Sequence, residues 1–128
     1  MSTLFDRVSE EHIKAIRAHG LDITYQDGET EVELKALPGR SRFTSADQRG
    51  AAVIEFNDQD FILAADDLAV DGVRIEPRRG AKILLTVNGY TYTYDVQPYG
   101  AERHWRWSGP GNAVRRVHGK LIDEEAAT

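Results

Sequence analysis

KILLTVNGYTYTYDV, residues 82–96, decides how this chain is read. Asn88-Gly89 stands between two runs of β-branched and aromatic residues, and a type I′ turn needs positive φ at both central positions, which these two residues tolerate best. The stretch is therefore predicted as a hairpin, with Tyr90, Tyr92, Tyr94 and Val96 on one face of its second strand and Thr91, Thr93 and Asp95 on the other.

The same period of two recurs on both sides of it. Downstream, HWRWSGPGNAVRRVHGK (104–120) reads as a last hairpin, His104–Trp107 and Ala113–His118, around Gly109-Pro110-Gly111-Asn112. If Ser108 pairs with Ala113, Trp107 lies opposite Val114 and Trp105 opposite Arg116. Upstream, FILAADDL (61–68) is a strand ending in a tight corner, Val73–Ile75 is short and edge-like before Pro77, and Arg78-Arg79-Gly80 turns the chain back. Ala51–Phe56 reads as a strand joined to Phe61–Ala65 through Asn57-Asp58. Ile23 and Tyr25, then Val32, Leu34 and Ala36, form a first hairpin turning at Asp27-Gly28. Pro38–Gly50 (PGRSRFTSADQRG) has no period and reads as a long mobile loop, locally basic through Arg40, Arg42 and Arg49.

Before the strands, residues 3–19 carry a helical stripe of Leu4, Val8, Ala15 and Ile16 with Phe5, His12 and Ile13 beside it, starting at Thr3 or at Ser9 and ending at Gly20. The expectation is a single domain over residues 1–128: one amino-terminal helix, then a mainly β, small antiparallel barrel or sandwich of about eight short strands over 21–122. An acidic tail, 123–128, is left outside it.

Composition narrows what such a domain does. The chain has 128 residues, 41% hydrophobic and 29% charged, with a net charge of −5, a balance that argues against a generic grip on nucleic acid. It contains no cysteine, which excludes disulfide staples and thiolate chemistry. No apolar run approaches the ~20 residues of a membrane helix, and no signal-peptide layout is seen, so a cytoplasmically made protein without a membrane partner is expected.

Catalytic candidates are thin. Asp66 and Asp67 are better explained as caps at the Leu68 corner than as metal ligands. His118, which strand pairing could bring near Arg103, is poorly placed to act as a base. Catalytic, cofactor and metal residues are all expected to be none. Tyr90, Tyr92, Tyr94, Tyr99, Trp105 and Trp107 could form a base-stacking platform, but Tyr and Trp at alternate positions more often fill a barrel core.

The order of these pieces resembles the small head-tail connector proteins of tailed bacteriophages, the stopper or head-completion class. In that family an aromatic-led strand is followed by an Asp-Leu corner, a Pro-x-x-Gly-Asp turn, a tyrosine-Val strand, a Trp-containing hairpin and an Arg-Ile-His-Thr-Lys-like strand. Here these correspond to Phe61, Asp67-Leu68, Pro77 to Gly80, Tyr94 and Val96, Trp105 and Trp107, and Arg116, His118 and Lys120. Ala81 stands where the family's turn carries Asp, and Gly119 where its last strand carries Thr.

The resemblance implies a non-enzymatic virion protein at the neck, made in the host bacterium. It would form a ring below the portal that retains DNA and docks the tail, contacting portal or adaptor and tail proteins. It would be a monomer when isolated, and genome DNA would pass without sequence-specific binding. The alternatives are a small nucleic-acid or protein binding module, and a tail terminator or adaptor ring. The family's long loop falls at Pro38–Gly50, which points to Arg40, Arg42, Phe43 and Arg49 as partner-binding residues.

Overall fold

The computed structural model describes residues 4–39, 59–109 and 111–126. Helix α1, Leu4–His19, is closed by Gly20, whose N–H donates to the Ile16 carbonyl at 2.8 Å. A Cβ at position 20 would collide with that carbonyl and lie 3.1 Å from Lys35 Cβ. The helix therefore meets the following strand at a spacing that only glycine allows.

Strands β1 (Leu21–Asp27) and β2 (Thr30–Pro38) form the first hairpin. Its register, Asp27 opposite Thr30, puts the turn on Gly28-Glu29, one residue later than the sequence suggests. Only Gly28 of the two has positive φ, as a type II′ turn requires. After β3 (Gln59–Ala64) comes a single 3-10 turn, Ala65–Asp67, at the expected corner. A miniature hairpin follows, β4 (Ala69–Val70) and β5 (Val73–Arg74), turning on Asp71-Gly72, both at positive φ. Then come β6 (Lys82–Val87), β7 (Tyr90–Val96), β8 (Trp105–Trp107) and β9 (Val114–Ala126). Asn88 and Gly89 take φ of 51° and 82°, the I′ geometry predicted for them.

Six strands in the order β3-β2-β1-β6-β7-β9 close into an antiparallel barrel through the β3–β9 pairing. The mainly β barrel with one amino-terminal helix is thus the alternative realised, rather than a sandwich. Strand β8 continues the line of β7 along the same edge of β9: Val96 faces Gly119, Gln97 N–H donates to the His118 carbonyl, and the ladder resumes with Trp105 opposite Val117. Residues 97–104 are an excursion from one interrupted strand.

Four sequence expectations shift. The described residues hold nine strands rather than about eight, the added one coming from the β4–β5 hairpin, while the expected strand Ala51–Phe56 and turn Asn57-Asp58 lie outside the described residues. Strand β9 runs through Asp123–Glu125 to Ala126, because an extra residue between the Tyr94–Leu121 and Thr93–Asp123 pairs lets it stay on β7. Ser108 donates to the Val114 carbonyl, so the last hairpin slips by one residue and Trp107 opposes Arg115, Trp105 opposes Val117. Asp66 and Asp67 cap nothing, since the cap position is Ala64; instead they take Arg74 at 2.6 Å and Arg17 at 3.2 Å.

Inside the barrel, Ile23, Tyr25, Leu34, Phe61, Leu63, Ile83, Leu85, Tyr92, Tyr94, Val96, Trp105 and Val117 make one continuous core. Tyr90, at the strand end, is exposed. Phe61 meets Tyr94 edge to face at 5.0 Å, and a Cβ on Gly119 would sit 3.0 Å from that Phe61 ring and 3.1 Å from Tyr94 Cβ. This packing leaves no room for a side chain at position 119. On the outside, α1 lies over β2, β3 and β9, where Ile16 and the directly paired Ala64 and Val114 are buried.

Candidate interaction site

The stretch expected to bind partners lies between Gly39 and Gln59, the described residues that flank it. Arg40, Arg42, Phe43 and Arg49 themselves lie outside the described residues. At the root, Gly39 N–H donates to the Asp60 carbonyl at 2.6 Å. Asp60 faces His118 across the β3–β9 seam, and both point outward because Phe61 and Val117 between them and their neighbours point in.

One carboxylate therefore serves two partners. Arg116 Nη1 donates to Asp60 Oδ2 at 2.7 Å, and His118 Nδ1 donates to Oδ1 at 2.5 Å. The side chains of Asp60 and Arg116 are only 18% and 21% exposed, and that of His118 5%. On the far side of the imidazole, Glu102 Oε2 lies 3.8 Å from Nε2, and Glu102 Oε1 takes Arg106 at 3.2 Å. A Cβ on Gly39 would overlap Asp60 Cβ and lie 3.1 Å from Arg116 Nη1. The root is thus clamped by charge-assisted bonds across the barrel's closing seam. His118 is held by Asp60, and its backbone N–H donates to the carbonyl of His104, the residue after Arg103.

Asp60→Ala leaves a half-buried guanidinium and a buried imidazole without their acceptor. It is expected to destabilise the protein by about 2–3 kcal/mol, with Asp60→Asn losing less because one acceptor remains. Urea unfolding checks this; equal midpoints for the parent and the alanine variant would show that the clamp contributes nothing to the fold.

The remaining residues of the family-like pattern hold turns and corners. Asp67 ties the 3-10 turn to α1 through Arg17, and Leu68 is completely buried beneath it. Pro77 is buried and its carbonyl accepts from His104 Nε2 at 2.9 Å. Gly80, at φ 88°, donates to the Val96 carbonyl while Val96 N–H donates to Ala81, so the turn is sewn to β7. Lys120 is exposed opposite Asp95. Burial raises the Asp95 pKa, but bonds from Gln97 and Lys82, with Lys120 nearby, outweigh this and hold the carboxyl below its ordinary value. Its folded value being depressed, that stabilisation is present above the unfolded aspartate value and lost as pH falls through the folded one.

Sequence reasoning missed the arginine at the centre of the other barrel end. Arg115 is 3% exposed and points inward with Trp105 and Trp107; its guanidinium lies 4.8 Å and 5.0 Å from the two ring centroids. Nη1 donates to the Ile75 carbonyl at 2.6 Å, pinning the segment after β5 onto the barrel. Burial, with Arg74 nearby, lowers its pKa from the ordinary arginine value, and Glu76, Asp66 and Tyr25 act the other way. Arginine stays charged nonetheless. Neighbouring Tyr25 accepts a bond from the Arg78 N–H at 3.0 Å, and burial raises its phenol pKa.

A closed barrel whose polar clusters fasten loop roots and corners defines a small β-barrel scaffold. The chain matches the model of the phage head-tail joining protein family over residues 4–126, and it belongs to that family. Its role is structural, joining head to tail in a phage virion, and its partners are phage head and tail proteins. A search of the curated proteins finds no match. Among the described residues no helix is long and apolar enough to cross a membrane.

Proposed function

We propose that the protein, made in the bacterial cytoplasm as a monomer, assembles as a ring below the portal at the virion neck. There it retains packaged DNA and offers the tail its docking surface, without enzymatic activity of its own. The observation that carries this reading is the clamped root at Gly39, Asp60, Arg116 and His118: β2 pairs β3 up to Pro38 opposite Phe61, and the barrel closes without residues 40–58. That stretch, with Arg40, Arg42, Phe43 and Arg49, is the segment we assign to partner contact.

The net charge of −5 fits a channel lining that repels phosphate and lets the duplex slide. The buried Trp105, Tyr92 and Tyr94 are core side chains, which weighs against a single-strand binding module that would stack bases on them. Stopper, adaptor and tail terminator share the ring reading and differ in where the ring sits.

Electron microscopy of particles made without the protein tests it. Filled or leaking heads beside free tails are expected. Complete tailed particles would remove the joint, and free tails of irregular length with sealed heads would favour a terminator.

A further inference from the structure

Two outer faces of the barrel carry opposite surplus charge. On the first, strand register lays out the rows Glu31–Gln26–Lys82 and Glu33–Thr24–Leu84 across β2, β1 and β6, on the side away from core Leu34, Tyr25 and Ile83. Lys35 neutralises Asp22 at 2.9 Å, and Lys82 neutralises Asp95 at 2.7 Å. The surplus is that of Glu29, Glu31 and Glu33, all exposed around half-buried Thr24 and Leu84. On the second face, the 97–104 excursion lies over His118 of β9: the Tyr99 ring is 6.0 Å from the imidazole, and Glu102 is 3.8 Å from Nε2. Tyr99 is 41% exposed. Arg103 follows Glu102, Lys120 is the next outward residue of β9 after His118, and both are exposed. Arg106 and Arg116 are answered by Glu102 at 3.2 Å and Asp60 at 2.7 Å, so the surplus here is that of Arg103 and Lys120.

The topology sets these faces apart. In the cyclic order β3-β2-β1-β6-β7-β9, strand β1 is the third neighbour of β9 in either direction. Around a closed barrel of six strands their outer faces therefore point in opposite directions. Within one copy the barrel itself lies between the two charges. A second copy brings them together.

We propose that Tyr99, Arg103 and Lys120 of one copy dock on the outer wall of β2, β1 and β6 in the next, with Tyr99 on Thr24 and Leu84 and the two cations on the glutamates. This inference rests on the ring reading above and names its subunit contact. An aromatic side chain on a Thr-Leu centre supplies packing in the middle, and the opposite charges around it set register at the rim. The two surfaces differ and lie on opposite sides of the barrel, so the contact is heterologous: copies add side by side, and a constant turn per copy closes them into a ring.

The absence of native cysteine makes the test direct. Glu33→Cys protein and Arg103→Cys protein are mixed, assembled on heads and exposed to mild oxidant. A disulfide-linked dimer is expected in the mixture, with none from either protein alone. In parallel, Glu31→Lys with Glu33→Lys, and separately Arg103→Glu with Lys120→Glu, are each expected to lower infectious yield about a hundredfold, and the fourfold charge exchange to recover most of it. These variants should keep the parent's urea midpoint, because exposed charges add little to the fold; where a midpoint falls, the cross-link alone decides. Rings seen by microscopy with neither dimer nor rescue would overturn this contact and leave the ring reading standing. Particles joined without any ring would overturn both.

Discussion

Virions carrying Phe43→Ser with Arg40→Ala and Arg42→Ala are expected to fail at head-tail joining, with yield down by at least about two orders of magnitude. The purified protein should still unfold within about 3 °C of its parent. Two facts separate these outcomes. The barrel closes through β2–β3 pairs that end at Pro38 and β3–β9 pairs that begin at Gln59, so this closure does not use residue 43. The three residues also combine the sources of affinity a segment needs when it is ordered on binding, which costs about 1–2 kcal/mol per residue fixed. An aromatic side chain and two charge-assisted bonding groups can exceed that cost. Normal infectious yield from the triple variant would make residues 40–58 a mere connection and move the docking surface onto the barrel.

The second large effect is expected at Arg115. Arg115→Ala empties the space beside two indoles that meet edge to face, removes two cation–π contacts and deprives the Ile75 carbonyl of its donor. The summed loss is about 3–5 kcal/mol, a large fraction of the stability of a domain this size. Arg115→Met keeps volume and removes a buried charge, so it should cost less than half as much. Urea midpoints of both variants decide it. An alanine variant within about 1 kcal/mol of the parent would show that the guanidinium is tolerated against the tryptophans rather than needed there.

How much of this was legible follows from how local each signal is. The 82–96 hairpin is fully written in its sequence, because Asn88-Gly89 fixes the turn and each flanking strand alternates cleanly. The Asp71-Gly72 turn carries an equally good signal, yet its strands are two residues long and Val70 and Val73 are exposed, so no alternation advertises them. The last hairpin slipped because positive φ at Gly109, Gly111 and Asn112 allows loops of several lengths; only the Ser108–Val114 bond chooses one. Asp60 escaped notice for another reason. Its partners Arg116 and His118 are 56 and 58 positions away, and only barrel closure brings them together. Arg115 and Arg116 read alike in sequence, but the pleat sends one against two tryptophans and the other to the seam.

Strand β9 meets β3 on one edge and β8 and then β7 on the other, which sets an order of events during synthesis. At about 5–20 residues per second, seconds pass on the ribosome between the making of Asp60 and that of His118. Throughout that interval β3 has one neighbour, and the outer face destined for the helix has no closed wall beneath it. The high contact order of the finished barrel places closure late and slows it to milliseconds or longer. Until β9 is added, the Asp60 carboxylate lacks its two partners. The strand that completes the fold therefore also supplies both partners of that carboxylate.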